Sequence, residues 1–258
     1  MHILVPTSSK LYFNFIGLIE VFIMKWRDIP SSKTIRKLLQ KQLELILPSV
    51  HGYSLVTLGE LSTNFNYKAA AVANVIQINT CEKVDVCADP HQLPLASDDI
   101  DAIFVPLLME QSKFPHQLLR EVVRSLRPGG KLILVTFNPL STWGVHKLFL
   151  SKSGRKPWKL PFYRMGRLRD WFALLGLEVT VEHGLFARLP GAEYEKETEL
   201  ISSVAYSRFG AINFIVAEKK VKTLTAIRPN WKNNRVIQPT MISPSGTSSK
   251  QQSTKEIN

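Results

Sequence analysis

A few short stretches hold the side chains whose types and spacing could do chemistry. "GYSLVTLGELSTNFN" (52–66) is an apolar run that ends at Gly59 and opens into a polar turn. A loop that receives a nucleoside cofactor begins this way, because a bare backbone lets a ligand approach closely. An ordinary strand-ending turn begins this way too. Asn79 ends the next apolar run and offers an amide to a hydroxyl, or simply turns the chain. Asp89 stands before Pro90, where its carboxylate can hold a ligand donor or close a turn. Leu107 closes "IDAIFVPL", and Asn138-Pro139 follows the apolar run "KLILVTF". The Asn138-Pro139 pair can present an amide and a carbonyl to a substrate nitrogen or oxygen, or form a turn into a helix capped by Ser141. His116 and His146 are lone histidines without an evident acidic partner. The two cysteines, Cys81 and Cys87, form no Cys-x-x-Cys pair and have no histidines beside them. No metal site and no disulfide framework is expected.

Between Lys147 and Arg169 lie eight basic residues and no acid, interleaved with Trp158, Phe162 and Tyr163. Cations neutralise phosphates and aromatic faces stack on bases, so an anionic partner such as nucleic acid is one reading. An anionic lipid surface is a second. A solvated insertion is the third.

These residues need elements to position them. "KTIRKLLQKQLELIL" (33–47) places Ile35, Leu38, Leu39, Leu43 and Ile46 at helical spacing, and Pro48 ends it. Apolar strands are expected in "SLVTLG", within "AAVANVIQIN", and over Ile100–Leu107 and Lys131–Phe137. Helices are expected over Pro115–Gly130, stopped by Pro128-Gly129-Gly130, and over Met165–Gly176. "LEVTVEHG" and Phe209–Lys220 supply the last strands. Strands alternating with helices imply a parallel sheet covered on both faces, with ligands at the carboxyl ends of its strands. The loops after Gly59, after Asn79, around Asp89, after Leu107 and after Phe137 gather there.

The chain of 258 residues has room for one sizeable core with tails. Its hydrophobic fraction of 45% and charged fraction of 21% are those of a soluble globular protein. A formal charge of +12 favours an anionic partner, or reflects a basic tail. From Glu218 to Asn258 there are eight Lys or Arg and two acids, in a Ser-, Asn-, Gln- and Pro-rich composition that cannot bury enough apolar surface to order. Residues 221–258 are therefore expected to be a disordered basic tail, behind a domain spanning 24–220. Residues 1–23 contain an apolar run too short to span a bilayer. They read either as sequence upstream of a natural start at Met24 or as an N-terminal anchor. The location expected is cytoplasmic.

"ADPHQLPLASDDIDAIFV" (88–105) closely resembles the segment before the fourth strand of class I S-adenosylmethionine-dependent methyltransferases of the type-11 class. Asp89, the Leu93-Pro94-Leu95 step and Asp101 carry the likeness. "LLREVVRSLRPGGKLILVTFNP" is similar to the same family's helix, Pro-Gly-Gly turn and fifth strand. Small, poorly characterised bacterial methyltransferase-like proteins are the nearest group. The resemblance implies an α/β, Rossmann-like methyltransferase fold, with a mostly parallel seven-stranded sheet and helices on both faces.

It also implies S-adenosyl-L-methionine as cofactor and an unidentified methyl acceptor. Asp89 and Pro90 would lie by the adenine, Gly59 by the methionine end, Asn79 by the ribose and Leu107 along the site. Asn138 and Pro139 fall on the acceptor side. No general base is named. The family loop expects about three spaced glycines and an acid at the position of Asn79, and both are missing here. The nine residues between Asn79 and Asp89 leave no room for the usual helix. The competing expectation is a catalytically inactive methyltransferase-like scaffold that binds an anionic partner or nucleic acid through the 147–169 surface.

Overall fold

The computed structural model describes residues 24–80, 84–150, 156–186, 190 and 209–220. The expected tail, the segment before Met24 and Cys81 lie outside the described residues.

Helix α1 (Ser32–Ile46) buries Ile35, Leu38, Leu39 and Leu43, the stripe that its spacing sets. A 3-10 turn at Leu47–Ser49 carrying Pro48 ends it and leads into β1 (His51–Leu58). Strand β2 (Ala71–Asn79) and the two-residue β3 (Val86–Cys87) follow, with no helix at residues 80 or 84–85 between them. Strand β4 (Ile100–Pro106) is buried along its whole length.

Helix α2 (Pro115–Ser125) starts with Pro115 in its first turn and buries Leu118, Leu119, Val122 and Val123. It stops earlier than the sequence suggests. Leu126 is already extended, and Pro128-Gly129-Gly130 belongs to β5 (Leu126–Phe137) rather than to a helix end. Arg127, the residue before a proline, is biased away from helix, so the apolar spacing that continues to Leu126 does not carry the helix with it. Gly130 is required here: a Cβ would lie 2.8 Å from the Arg127 carbonyl oxygen and 3.1 Å from those of Ile100 and Asp101.

Helices α3 (Thr142–Leu150), α4 (Lys156–Lys159) and α5 (Met165–Leu174) precede β6 (Leu177–Leu185) and β7 (Ile212–Lys219).

The seven strands form one sheet in the order β3-β2-β1-β4-β5-β7-β6. The pairings among β1 to β5 are parallel. Strand β7 lies between β5 and β6 and runs antiparallel to both. The sheet is thus mixed, which corrects the expectation of a mostly parallel one. The physical reason is that β7 is buried on both faces from Ile212 to Ala217. A strand buried on both faces reads as one apolar run whichever way it points.

Alternation along the strands sends side chains to two cores. Leu55, Phe104, Ile133, Val135 and Phe214 pack with α1 on one face. Val56, Ile103, Leu132, Leu134 and Ile215 pack with α2 and α5 on the other. Rigid strand ends are thereby held along one edge, where β1, β2, β3, β4 and β5 deliver their carboxyl-terminal residues.

Candidate active site

Gly59 leaves β1 with φ of 85°, in the left-handed region that favours glycine. Its N–H donates to the Ile78 carbonyl at 3.0 Å, and its carbonyl accepts the Ser62 N–H and hydroxyl at 3.2 and 2.7 Å. The loop therefore closes at once into a 3-10 turn, Glu60–Asn64. On the bare side of Gly59 a Cβ would meet the Leu108 side chain at 3.2 Å. The single glycine is needed for the turn, where its φ is positive.

The turn delivers Glu60 to the tip of β2. Asn79 is 4% exposed, its Nδ2 donates to Glu60 Oε2 at 2.8 Å, and its Oδ1 accepts the Thr80 N–H at 2.8 Å. A carboxylate thus stands over the end of β2, although the β2 residue itself is an amide. Sequence reasoning missed Glu60. The signal was an acid directly after the loop glycine, in a chain whose expected acid was absent.

Asp89 follows β3. Its Oδ1 accepts the His91 N–H at 2.9 Å and sits 2.7 Å from His91 Nδ1. His91 Nε2 lies 2.7 Å from the Ser112 hydroxyl, which accepts the Phe114 N–H at 3.0 Å. This chain of bonds ties the loop after β3 to the loop after β4. The Asp89 side chain keeps 37% of its surface exposed, and no bond among the described residues uses its Oδ2. Pro90 beside it is buried. His91, not one of the lone histidines, is the one paired with an acid here.

Asp101, part of the sequence motif, stands at the other end of the sheet. It is 4% exposed, and its Oδ2 accepts the Tyr53 and Ser54 N–H groups at 2.7 and 2.8 Å. It also pairs with Arg127. Asp101 fastens the start of β1 to β4 and β5, far from the carboxyl edge.

Leu107 has φ of 50°, a left-handed conformation rare outside glycine, and its side chain is fully buried in the core with α1. Its carbonyl accepts Gln111 Nε2 at 2.7 Å, which steadies the loop after β4.

That loop also carries Glu110, a second acid the sequence did not single out. Glu110 is 1% exposed, its Oε1 accepts the Phe137 N–H at 2.7 Å, and its Oε2 has no partner. Burial pushes its carboxyl up to about 8, against the opposing pull of the Phe137 N–H and the Lys147 ammonium. Burial lowers Lys147 in turn, and the Lys147 ammonium lies 4.4 Å from the centre of the Phe162 ring. Tyr163 is pushed up to about 12 by burial and by Glu110.

On the acceptor side, Asn138 is 4% exposed and bonded through both ends of its amide, Nδ2 to the Gly210 carbonyl at 2.9 Å and Oδ1 to the Leu140 N–H at 3.0 Å. Its carbonyl accepts the Ser141 hydroxyl at 2.7 Å, and that hydroxyl receives the Gly144 N–H at 3.3 Å. Gly144 is obligatory, because a Cβ there would overlap the Pro139 carbonyl. Asn138 and Pro139 thus build the turn into α3.

In the basic segment, Trp158 and Tyr163 are buried, and Phe162 stacks on Phe137 with ring centroids 4.9 Å apart. These rings are packing elements, which removes the stacking platform that a nucleic-acid lid would need. A cleft of about 700 Å³ opens between α5 and the edge formed by β5, β6 and β7, bordered by Asn138, Arg164, Arg167 and Asn213 among others.

Residues 51–134, which carry β1 through most of β5, match the methyltransferase domain family. Among solved structures, a S-adenosylmethionine dependent methyltransferase from Mesorhizobium loti superimposes with a TM-score of 0.51 at 15% identity, covering 70% of this chain and 97% of that one. The [4+2]-cyclase SpnF superimposes with a TM-score of 0.50 at 16% identity, covering 71% of this chain and 80% of that one. Likeness at this level establishes the fold, and the second case shows that the fold by itself does not fix the reaction. The sequence match to the methyltransferase domain spans residues 51–134. The chain belongs to the family that includes the uncharacterised protein YafS of Escherichia coli, to which it is 31% identical over 201 residues, 78% of this chain and 82% of YafS.

Proposed function

We propose that the protein is an S-adenosylmethionine-dependent methyltransferase whose cofactor site is built from Asp89 and the Glu60–Asn79 pair. When bound, the cofactor would supply an electrophilic methyl group on a sulfonium, a good leaving group that needs little acid or base help. Everything else is positioning, which is where the chain's own residues act.

Asp89 is the observation that carries the reading. Its Oδ1 is fixed by His91, and its Oδ2 remains open to accept from the exocyclic amine of adenine. His91 is in turn held by Ser112, so the carboxylate is oriented from both neighbouring loops.

Glu60 supplies the charge that Asn79 lacks. Asn79 holds Glu60 Oε2, and the carboxylate so placed can accept from the ribose hydroxyls. The one-glycine loop works here by bringing in a side chain, where the usual loop offers bare backbone. Gly59 contributes through the turn that places Glu60. The buried side chain of Leu107 makes it a support of the loop after β4. Pro90 fixes the backbone beside Asp89. The enzyme reading is favoured over the scaffold reading because these acids converge on one edge of the sheet with partners that orient them.

The test is the affinity of Asp89→Ala for S-adenosylhomocysteine, read by calorimetry beside the unfolding midpoint. Loss of a hydrogen bond to a charged acceptor is worth roughly 1.5–3 kcal/mol, so the affinity is expected to fall at least about tenfold. An unchanged affinity in a folded variant would remove Asp89 from the site.

A further inference from the structure

The cleft between α5 and the β5–β7–β6 edge has no part in the cofactor site. Its volume of about 700 Å³ suits a small molecule. Its floor is polar. Asn213 is 5% exposed, and its Nδ2 has no hydrogen-bond partner. Buried polar groups are normally paired, so the unpaired Asn213 amide at the base of the cleft marks a place where a ligand supplies the partner.

The walls are cationic. Arg164 and Arg167 make no ion pair among the described residues, and the Arg167 guanidinium lies 5.2 Å from the centre of the Trp171 ring. Arg169 is engaged by Glu182. Asp170 is an exposed acid on the same wall, and it offsets only one of the two unpaired guanidinium groups.

From the end of β4 the sheet continues to β5 and then to β7. Asn213 is therefore two strand spacings, roughly 10 Å, from the loop after β4. That separation suits a molecule held at one end and reacting at the other.

We propose that this cleft holds the anionic group, a carboxylate or a phosphate, of a small-molecule methyl acceptor. Asn213 Nδ2 donates to it from the floor, and Arg164 and Arg167 close on it from the wall. The proposal rests on the methyltransferase reading above and adds the chemical class of the acceptor.

The experiment is an NMR titration of the isotopically labelled full chain with malonate and, separately, with inorganic phosphate. The Asn213 side-chain amide and the Arg167 Nε–H are the reporters. Saturable shifts of both are expected, with whichever anion binds more tightly naming the headgroup. Arg167→Ala, at an exposed position, is expected to weaken binding at least about tenfold, and Asn213→Asp to abolish it, because a carboxylate on the floor repels an anion. Arg36→Ala, on α1 across the sheet, leaves it unchanged.

Shifts that never saturate, or that are equal in the Arg36 and Arg167 variants, overturn the proposal as general ionic strength. A parallel titration with S-adenosylhomocysteine separates the two levels. Cofactor binding without anion binding overturns the cleft assignment alone. Anion binding without cofactor binding overturns the acceptor role through the reading it rests on.

Discussion

Glu110 makes stability depend on pH in a direction opposite to most carboxylates. The side chain is 1% exposed, with one oxygen on the Phe137 N–H and the other unpaired. Burial raises its carboxyl from 4.5 in the free side chain to about 8 in the folded chain. Between these values the folded protein keeps a proton that the unfolded chain releases. Its contribution to stability is therefore complete below 4.5 and is lost as pH rises through 8. At about 1.4 kcal/mol per pH unit, that interval is worth at most about 5 kcal/mol. Glu110→Gln keeps the acceptor for the Phe137 N–H and removes the titration. Urea unfolding at intervals from pH 5 to 9 is the assay. The native chain is expected to lose roughly 2–5 kcal/mol more than Glu110→Gln over that range. Parallel stability profiles would refute the argument, because they would mean that Glu110 ionises alike in both states.

Two further substitutions test other parts of the account. Asp101→Ala removes the acceptor for two backbone N–H groups of β1, one buried and one partly buried, and leaves Arg127 without its acid, so unfolding stability is expected to drop by about 2–4 kcal/mol while cofactor affinity in the folded fraction holds. Equal loss of cofactor affinity would place Asp101 nearer the site than the fold does. Asn79→Asp sets a second carboxylate where the amide now donates to Glu60 at 2.8 Å. Affinity for S-adenosylhomocysteine is expected to fall about tenfold, and adding Glu60→Gln to restore most of it, since one carboxylate is again supported by one amide. If the double variant binds no better than Asn79→Asp, Glu60 has no part in the ribose contact.

Much of the frame was legible in the residues. The α1 stripe and the apolar runs of β1, β4 and β5 read directly as elements, because their burial follows their periodicity. The direction of β7 was not legible, since an all-apolar run carries no sign of orientation. The end of α2 was misplaced because Leu126 keeps helical spacing while the residue before Pro128 turns the chain into β5.

In the site, Asp89 could be singled out from its place before Pro90, but its partner His91 could not, because the contact depends on how the turn closes. Glu60 and Asn79 are far apart in sequence and meet only because β1 and β2 are neighbours in parallel register. Glu110 looked like any loop acid until the fold buried it. The aromatic residues of 147–169 suggested base stacking, and only packing shows that Trp158 and Tyr163 point inward.

The central claim is that a loop with one glycine still forms a cofactor site, through Glu60 held by Asn79 and Asp89 held by His91. Calorimetric titration of the native chain with S-adenosylhomocysteine tests it most directly. Saturable one-to-one binding in the micromolar range, weakened by Asp89→Ala, is the result the account predicts. No heat at millimolar ligand from a folded sample would contradict it and leave the scaffold reading in its place.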